Sequence, residues 1–326
     1  MTLAELLQAS PALFTGLVFV FSLLVGSFLN VVIHRLPVMM DREWREQCSE
    51  LAQVDAPKAA ENAKAVAKVG GKTAAAAPNA AGEVAPKPRY DLIVPRSACP
   101  HCNAPIRAWQ NIPVVSYLVL RGKCASCGTR ISVRYPIVEL LTAVLSAAVA
   151  WHYGFGWQAG VALVFTWMLI ALAAIDLDTS YLFDNLTLPL LWLGLLASIA
   201  WQGNTAYAFP VDPRSSIIGA VAGYLSLWTV YHAFRLITGK EGMGYGDFKL
   251  FAAFGAWFGW QMLPLIILLS AFTGAVVGIY LMVFRRHGRD VPIPFGPYLA
   301  AAGWIALLWG PTLVERYLNV AGFKGS

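Results

Sequence analysis

Eight apolar runs, at approximately residues 12–33, 136–153, 158–175, 185–202, 216–238, 248–261, 263–284 and 295–313, constrain this chain more than any other feature. About 20 helical residues cross a hydrocarbon core about 30 Å thick, and a backbone in lipid must satisfy its own hydrogen bonds, as a helix does. The expected fold is therefore an all-α polytopic membrane protein with about eight transmembrane helices. The sixth run is short and Gly-rich, which suits a half-helix or a tilted span. Only 13% of the residues are charged and 58% are hydrophobic, whereas soluble domains carry about a quarter charged residues. Residues 1–11 contain no Lys or Arg, so the first run lacks the basic n-region of a cleavable signal peptide.

Basic residues set the expected orientation. Of 24 Lys and Arg, 15 fall within residues 35–134, and others cluster at Arg235, Lys240 and Lys249 and at Arg285, Arg286 and Arg289. The positive-inside rule then puts the N-terminus outside and the 34–135 loop in the cytoplasm. The net charge of +6 reads first as this topology signal and second as attraction to anionic membrane lipid. No basic run is interleaved with stacking aromatics, so no nucleic-acid partner is expected.

Three regions follow: a first transmembrane helix at 1–33, the cytoplasmic loop at 34–135, and a membrane domain at 136–326. Within the loop, residues 55–88 are Ala, Lys, Pro and Gly with almost no bulky apolar side chain. They bury too little surface to offset chain entropy, so a disordered or weakly helical linker is expected. Residues 90–135 differ, being compact in character and carrying four cysteines as Cys99-x-x-Cys102 and Cys124-x-x-Cys127, with 21 residues between the pairs.

Two C-x-x-C pairs suit a tetrahedral thiolate shell for zinc, although the gap slightly exceeds the usual spacing of about 15–20 residues. Pro100 and Gly128 sit where such knuckles need tight turns. Disulfides and redox-active dithiols are the competing readings, and a reducing cytoplasm disfavours structural disulfides. Four thiolates leave no open coordination position, so the metal would be structural, not catalytic. His101 reads as a surface residue, and Cys48 stands alone.

Carboxylates inside or beside spanning helices are costly and tend to be functional. Asp176, Asp178 and Asp184 fall between the third and fourth runs, and Glu241 and Asp247 border the sixth, within or beside the stretch GMGYGDFKL at 242–250. The expected topology puts both groups at the cytoplasmic face. Helix capping explains Asp184 well and Asp247 in part. It does not explain Asp176, which ends a helix where the dipole repels negative charge. Two carboxyls close together in a low-dielectric site share a proton and can supply a general base and a general acid. Peptide hydrolysis is the natural reaction class for such a pair. Gly244 and Gly246 would let the backbone approach a substrate strand and deliver Asp247 from a turn.

Taken in order, GSFLNVVIHRLP at 26–37, the two C-x-x-C pairs, IDLD with a following acid at 175–184, GMGYGDFKL and PIPFGPYLA resemble the type IV prepilin peptidases over nearly the whole chain. The resemblance implies a bifunctional enzyme of the bacterial inner membrane with a G-x-G-D aspartic peptidase domain. It would cut the basic leader of type IV prepilins and type II secretion pseudopilins after a glycine, then N-methylate the new N-terminus from S-adenosylmethionine. Carried over by position, Asp176 and Asp247 would be the catalytic pair, and Cys99, Cys102, Cys124 and Cys127 the zinc ligands. Phe183 departs from the family's usual proline before the third acid. No G-x-G-x-x-G fingerprint marks a nucleotide fold for the methyl donor. Asn30, His34 and Arg35 in the first motif are candidates for shaping that site, against plain helix packing. Asp178, Asp184 and Glu241 are candidates for attracting a basic leader. Two other classes remain open: a proton-coupled transporter using the same acids, and an assembly scaffold docked through its cysteine loop.

Overall fold

A computed structural model describes residues 2–67, 89–200, 209–240, 242–284 and 294–320. Among them regular structure is helical: α1 (Leu3–Ala9), α2 (Pro11–Ala67), α3 (Val115–Val119), α4 (Arg134–Tyr153), α5 (Trp157–Thr179), α6 (Asp184–Ile199), α7 (Pro213–Thr238), α8 (Tyr245–Phe258), α9 (Leu263–Phe284) and α10 (Gly296–Val320). Each apolar run falls on one of these helices. Six of them, α2, α4, α5, α7, α9 and α10, are long and apolar enough to cross a membrane. The other two are shorter than a crossing needs, with 16 residues in α6 and 14 in α8.

Residues 55–67, expected to begin the linker, continue α2, and the rest of that stretch lies outside the described residues. So do Glu241, Arg285, Arg286 and Arg289. Helix α2 outruns its apolar stretch because most of residues 41–52 are strong helix formers, with an i,i+4 pair between Asp41 and Arg45 at 3.0 Å.

Two compact units are distinguished, Met1–Ile33 with Arg107–Ser326 and His34–Ile106. In the smaller unit, buried Arg35 donates to the Asp91 carbonyl at 2.8 Å and the Pro95 carbonyl at 2.6 Å. Asp91 closes the same turn by accepting the N–H groups of Ile93 and Val94, each at 2.7 Å. These backbone donors hold its carboxyl below the ordinary carboxylate range.

The larger unit is organised around α8. Eleven of its residues are buried, from Asp247 to Phe258, so this short helix is a core element wrapped by others. A short apolar helix of this length is expected to be buried in just that way. Its aromatic face anchors the interior: Trp257 lies 4.4 Å from the Phe165 ring and donates to the Leu190 carbonyl at 2.8 Å. Against α7 the contact is backbone on backbone. A Cβ on Gly223 would fall 2.6 Å from the Phe251 carbonyl oxygen, and Gly219 and Gly255 face each other still more closely. Ser216 Oγ completes this seam by donating to the Ala256 carbonyl at 2.6 Å. Small residues that admit close backbone approach are the usual means of joining helices in lipid, where no hydrophobic force drives them together.

This seam is testable. Gly255→Ala should lower the stability of the purified protein by about 1–3 kcal/mol, the usual cost of overpacking, read as a lower thermal midpoint. Gly160→Ala, which meets nothing within 4 Å and replaces a glycine within α5, should leave the midpoint unchanged or raise it.

Candidate active site

Asp176 sits in the last turn of α5, where Ser180 closes the helix in a left-handed conformation at φ 55°. Its carboxylate faces the negative end of its own helix, and it is 4% exposed. Compensation comes from another element: Asp176 Oδ2 accepts the N–H of Gly296 at 2.9 Å. Gly296 opens α10, and the first N–H groups of a helix have no intrahelical partner and carry positive partial charge. The acid misplaced on α5 is therefore well placed on α10. The sequence carried this signal in PIPFGPYLA, where a proline follows the glycine as at a helix start, but nothing local linked it to Asp176.

Asp247 is the third residue of α8, just inside the Gly244 N-cap, and its N–H returns to the Gly244 carbonyl at 3.2 Å. The carboxyl is buried, and Asp176 lies near enough for its charge to act on it. Asp247 Oδ1 has no hydrogen-bond partner among the described residues. A buried acceptor left open in this way is unusual and asks for a partner that the folded chain does not itself supply.

Leu182 packs the two acidic elements together. A Cβ on Gly246 would lie 2.6 Å from Leu182 Cβ, and one on Gly296 would lie 2.6 Å from Asp176 Oδ2 and 3.2 Å from Leu182 Cδ1. Gly246 thus admits Leu182 to the start of α8, a packing need that sequence reasoning had taken for substrate approach. Gly244 is under no such demand, since its nearest neighbour would be Asp247 Oδ2 at 3.8 Å.

Two further acids, Asp178 and Asp184, are engaged. Arg134 grips Asp178 in two contacts, Nη1 to Oδ1 at 2.7 Å and Nη2 to Oδ2 at 2.6 Å. Asp184 does not cap α6 as its position had suggested. It lies in the first turn after Phe183, makes no cap hydrogen bond, and accepts Lys249 Nζ at 2.6 and 2.7 Å. Arg134 and Lys249 were not singled out by motif reasoning; only their place beside the acids could have suggested them. Of the first-motif candidates, Asn30 donates to the Tyr135 carbonyl at 3.1 Å, Arg35 holds the 91–95 turn, and His34 is exposed.

The cysteine pairs form two knuckles with the same backbone. In the first, Cys99 N–H donates to the Ala104 carbonyl at 3.0 Å and Asn103 N–H to the Cys99 carbonyl at 2.8 Å. In the second, Cys124 N–H donates to the Thr129 carbonyl at 2.8 Å and Gly128 N–H to the Cys124 carbonyl at 2.9 Å. The residue after each second cysteine is left-handed, Asn103 at φ 55° and Gly128 at φ 71°; Asn and Gly are the residues that tolerate this best. The four cysteine sulfurs lie within 4.8 Å of one another, a group able to hold a metal ion. Of the two competing readings, disulfides and redox-active dithiols, the first is not seen among the described residues.

Residues 20–153 match the family model described as the bacterial peptidase A24 N-terminal domain, and residues 163–279 match that of the type IV leader peptidase family. A protein of Aeromonas hydrophila is 52% identical over 317 residues, 97% of this chain and 98% of the relative. One of Pseudomonas aeruginosa is 49% identical over 327 residues, covering 99% and 100%. One of Legionella pneumophila is 44% identical over 299 residues, covering 92% of each. All three bear the name prepilin leader peptidase/N-methyltransferase. No solved structure matches the chain.

The two-helix bond at Asp176 predicts a contrast between variants. Asp176→Asn keeps an acceptor for the Gly296 N–H and should melt near the parent. Asp176→Leu leaves that donor buried and unpaired, which should cost about 1–3 kcal/mol and show as a lower thermal midpoint by circular dichroism.

Proposed function

From the premise that this chain belongs to the type IV leader peptidase family, we propose that Asp176 and Asp247 together hydrolyse the leader bond of prepilins. The observation that carries this reading is the open oxygen of buried Asp247 beside an Asp176 that is already anchored to the start of α10. Neighbouring carboxyls in a water-poor site hold one proton between them. The ionised partner takes a proton from water, whose oxygen attacks the scissile carbonyl. The protonated partner donates to the carbonyl oxygen as charge develops there, and a proton then passes to the departing amide nitrogen. Each aspartate can serve as acid or base in turn.

Substrates of this chemistry are prepilins and pseudopilins cut after a glycine. A prepilin pairs a basic leader with an apolar helix, so its scissile bond lies at a membrane face. In this reading that face is cytoplasmic, as the positive-inside rule favours for the basic clusters, with the N-terminus periplasmic and the protein in the bacterial inner membrane. All eight apolar helices would contribute to the membrane domain, with α8 inside it. The relatives' shared name gives no support to a proton-coupled transporter.

Cys99, Cys102, Cys124 and Cys127 hold one structural zinc in this reading, supported by their clustered thiols and matched knuckles. Bound zinc would cross-link the loop and leave the aspartyl chemistry untouched. S-adenosylmethionine would supply the methyl group for the new N-terminus. No residue is assigned to hold it, because Asn30 and Arg35 are committed to backbone carbonyls.

Purified protein in lipid nanodiscs should remove the leader from a prepilin, with methylation of the product appearing by mass spectrometry only when S-adenosylmethionine is added. Asp247→Asn should lower the cleavage rate at least about 100-fold; a folded variant that still processes prepilin sinks the assignment. Cys99→Ser with Cys124→Ser should abolish bound zinc by elemental analysis and lower the thermal midpoint, with part of the cleavage kept. A parent protein purified without zinc contradicts the knuckle.

A further inference from the structure

We propose that residues 107–121, between the second of the paired Cys99-x-x-Cys102 sulfurs and the second knuckle, form an interfacial anchor that rests on an anionic bilayer surface. Three observations meet here, and none depends on the peptidase reading.

The first is an unpartnered apolar face. Trp109, Ile112, Val115 and Leu118 recur every third residue through the 3-10 turn Ala108–Asn111 and α3, and together with Val119 they are 47–68% exposed. Pro113 and the adjoining Gly122 are buried. Exposed apolar side chains concentrated in one short stretch, with a tryptophan among them, mark an interaction surface.

The second is charge. Residues 107–133 contain Arg107, Arg121, Lys123 and Arg130 and no acid. Apolar residues with Trp on one side and cations at the margins are the pattern of segments that lie in the headgroup plane of anionic membranes. The same cations would repel a basic leader, which argues against the prepilin as the occupant.

The third is location. Val114, held at φ 58° in the middle of the segment, donates its N–H to buried Glu139 Oε2 at 2.8 Å. Glu139 lies in the second turn of α4, one of the helices able to cross the membrane. Gly26 of α2 packs against the same turn, where a Cβ would lie 2.7 Å from Glu139 Cα. The segment is thereby tied to the end of a spanning helix, where hydrocarbon gives way to headgroups. Glu139 is thus a positioning residue, outside the aspartate chemistry.

The test uses the full chain in nanodiscs of phosphatidylcholine with phosphatidylglycerol, with a benzophenone amino acid replacing Val115 or Leu118 and, as control, the exposed Ser126. After irradiation, positions 115 and 118 should each give a phospholipid adduct several-fold above the control. Omitting phosphatidylglycerol should reduce that yield several-fold. Adducts with added prepilin in place of lipid, adducts only within the chain, or yields no higher than at position 126 would each overturn the anchor. Equal yields with and without phosphatidylglycerol would overturn its anionic preference. A thermal midpoint matching that of the parent, read by circular dichroism, checks that each labelled protein is folded.

Discussion

A buried carboxylate at the C-terminal end of a helix needs a compensating donor, and the N-terminus of α10 supplies one to Asp176. Much else depends on that bond. It requires a residue without a side chain at position 296, because a Cβ there would collide with the carboxylate. It fixes the start of α10 against the end of α5, and Leu182 then fills the space toward Gly246 at the start of α8. Asp247 is buried beside an acid whose orientation is already set. Preorganisation of this kind leaves one carboxyl held by the protein and the other with an oxygen to offer a reacting group.

The surroundings keep that arrangement specific. Asp178 and Asp184 lie close in sequence to Asp176, yet each is paired with a cation of the chain itself, Arg134 and Lys249. Their half-exposed pairs contribute little to stability, but they keep two further carboxylates and two cations engaged at the margin of the site. Burial of α8 on nearly all sides does the corresponding work for Asp247. The helix that carries buried Asp247 in its first turn is locked by the glycine seam with α7 and by Trp257 at its far end.

Much of this was legible in the sequence, because it rests on local pattern. The apolar runs placed all eight large helices, but the short sixth run, read as a half-helix or a tilted span, proved to be the buried helix α8. The C-x-x-C pairs were readable from spacing alone, as was the anomaly of an acid ending α5. What stayed hidden depends on contacts between distant residues. Asp184 looks like a cap until Lys249, 65 residues on, is seen to pair with it. Gly296 looks like a helix start until it is seen to hold Asp176, 120 residues away. Asn103 gives no hint in sequence that it matches Gly128, because its left-handed turn is a property of the knuckle backbone. The extension of α2 past its apolar run was missed because hydrophobicity, the signal used for spans, says nothing about a solvated helix.

The central claim is that Asp176 and Asp247 act as one unit on the scissile bond. It is tested most directly by single-turnover cleavage of a prepilin in identical nanodiscs by Asp176→Asn, Asp247→Asn and the double variant. Groups that act as a unit are lost together, so both single variants should fall to one common background rate and the double variant should fall no further. A substantial residual rate in either single variant, with the double variant lower by the product of the two losses, would contradict the account.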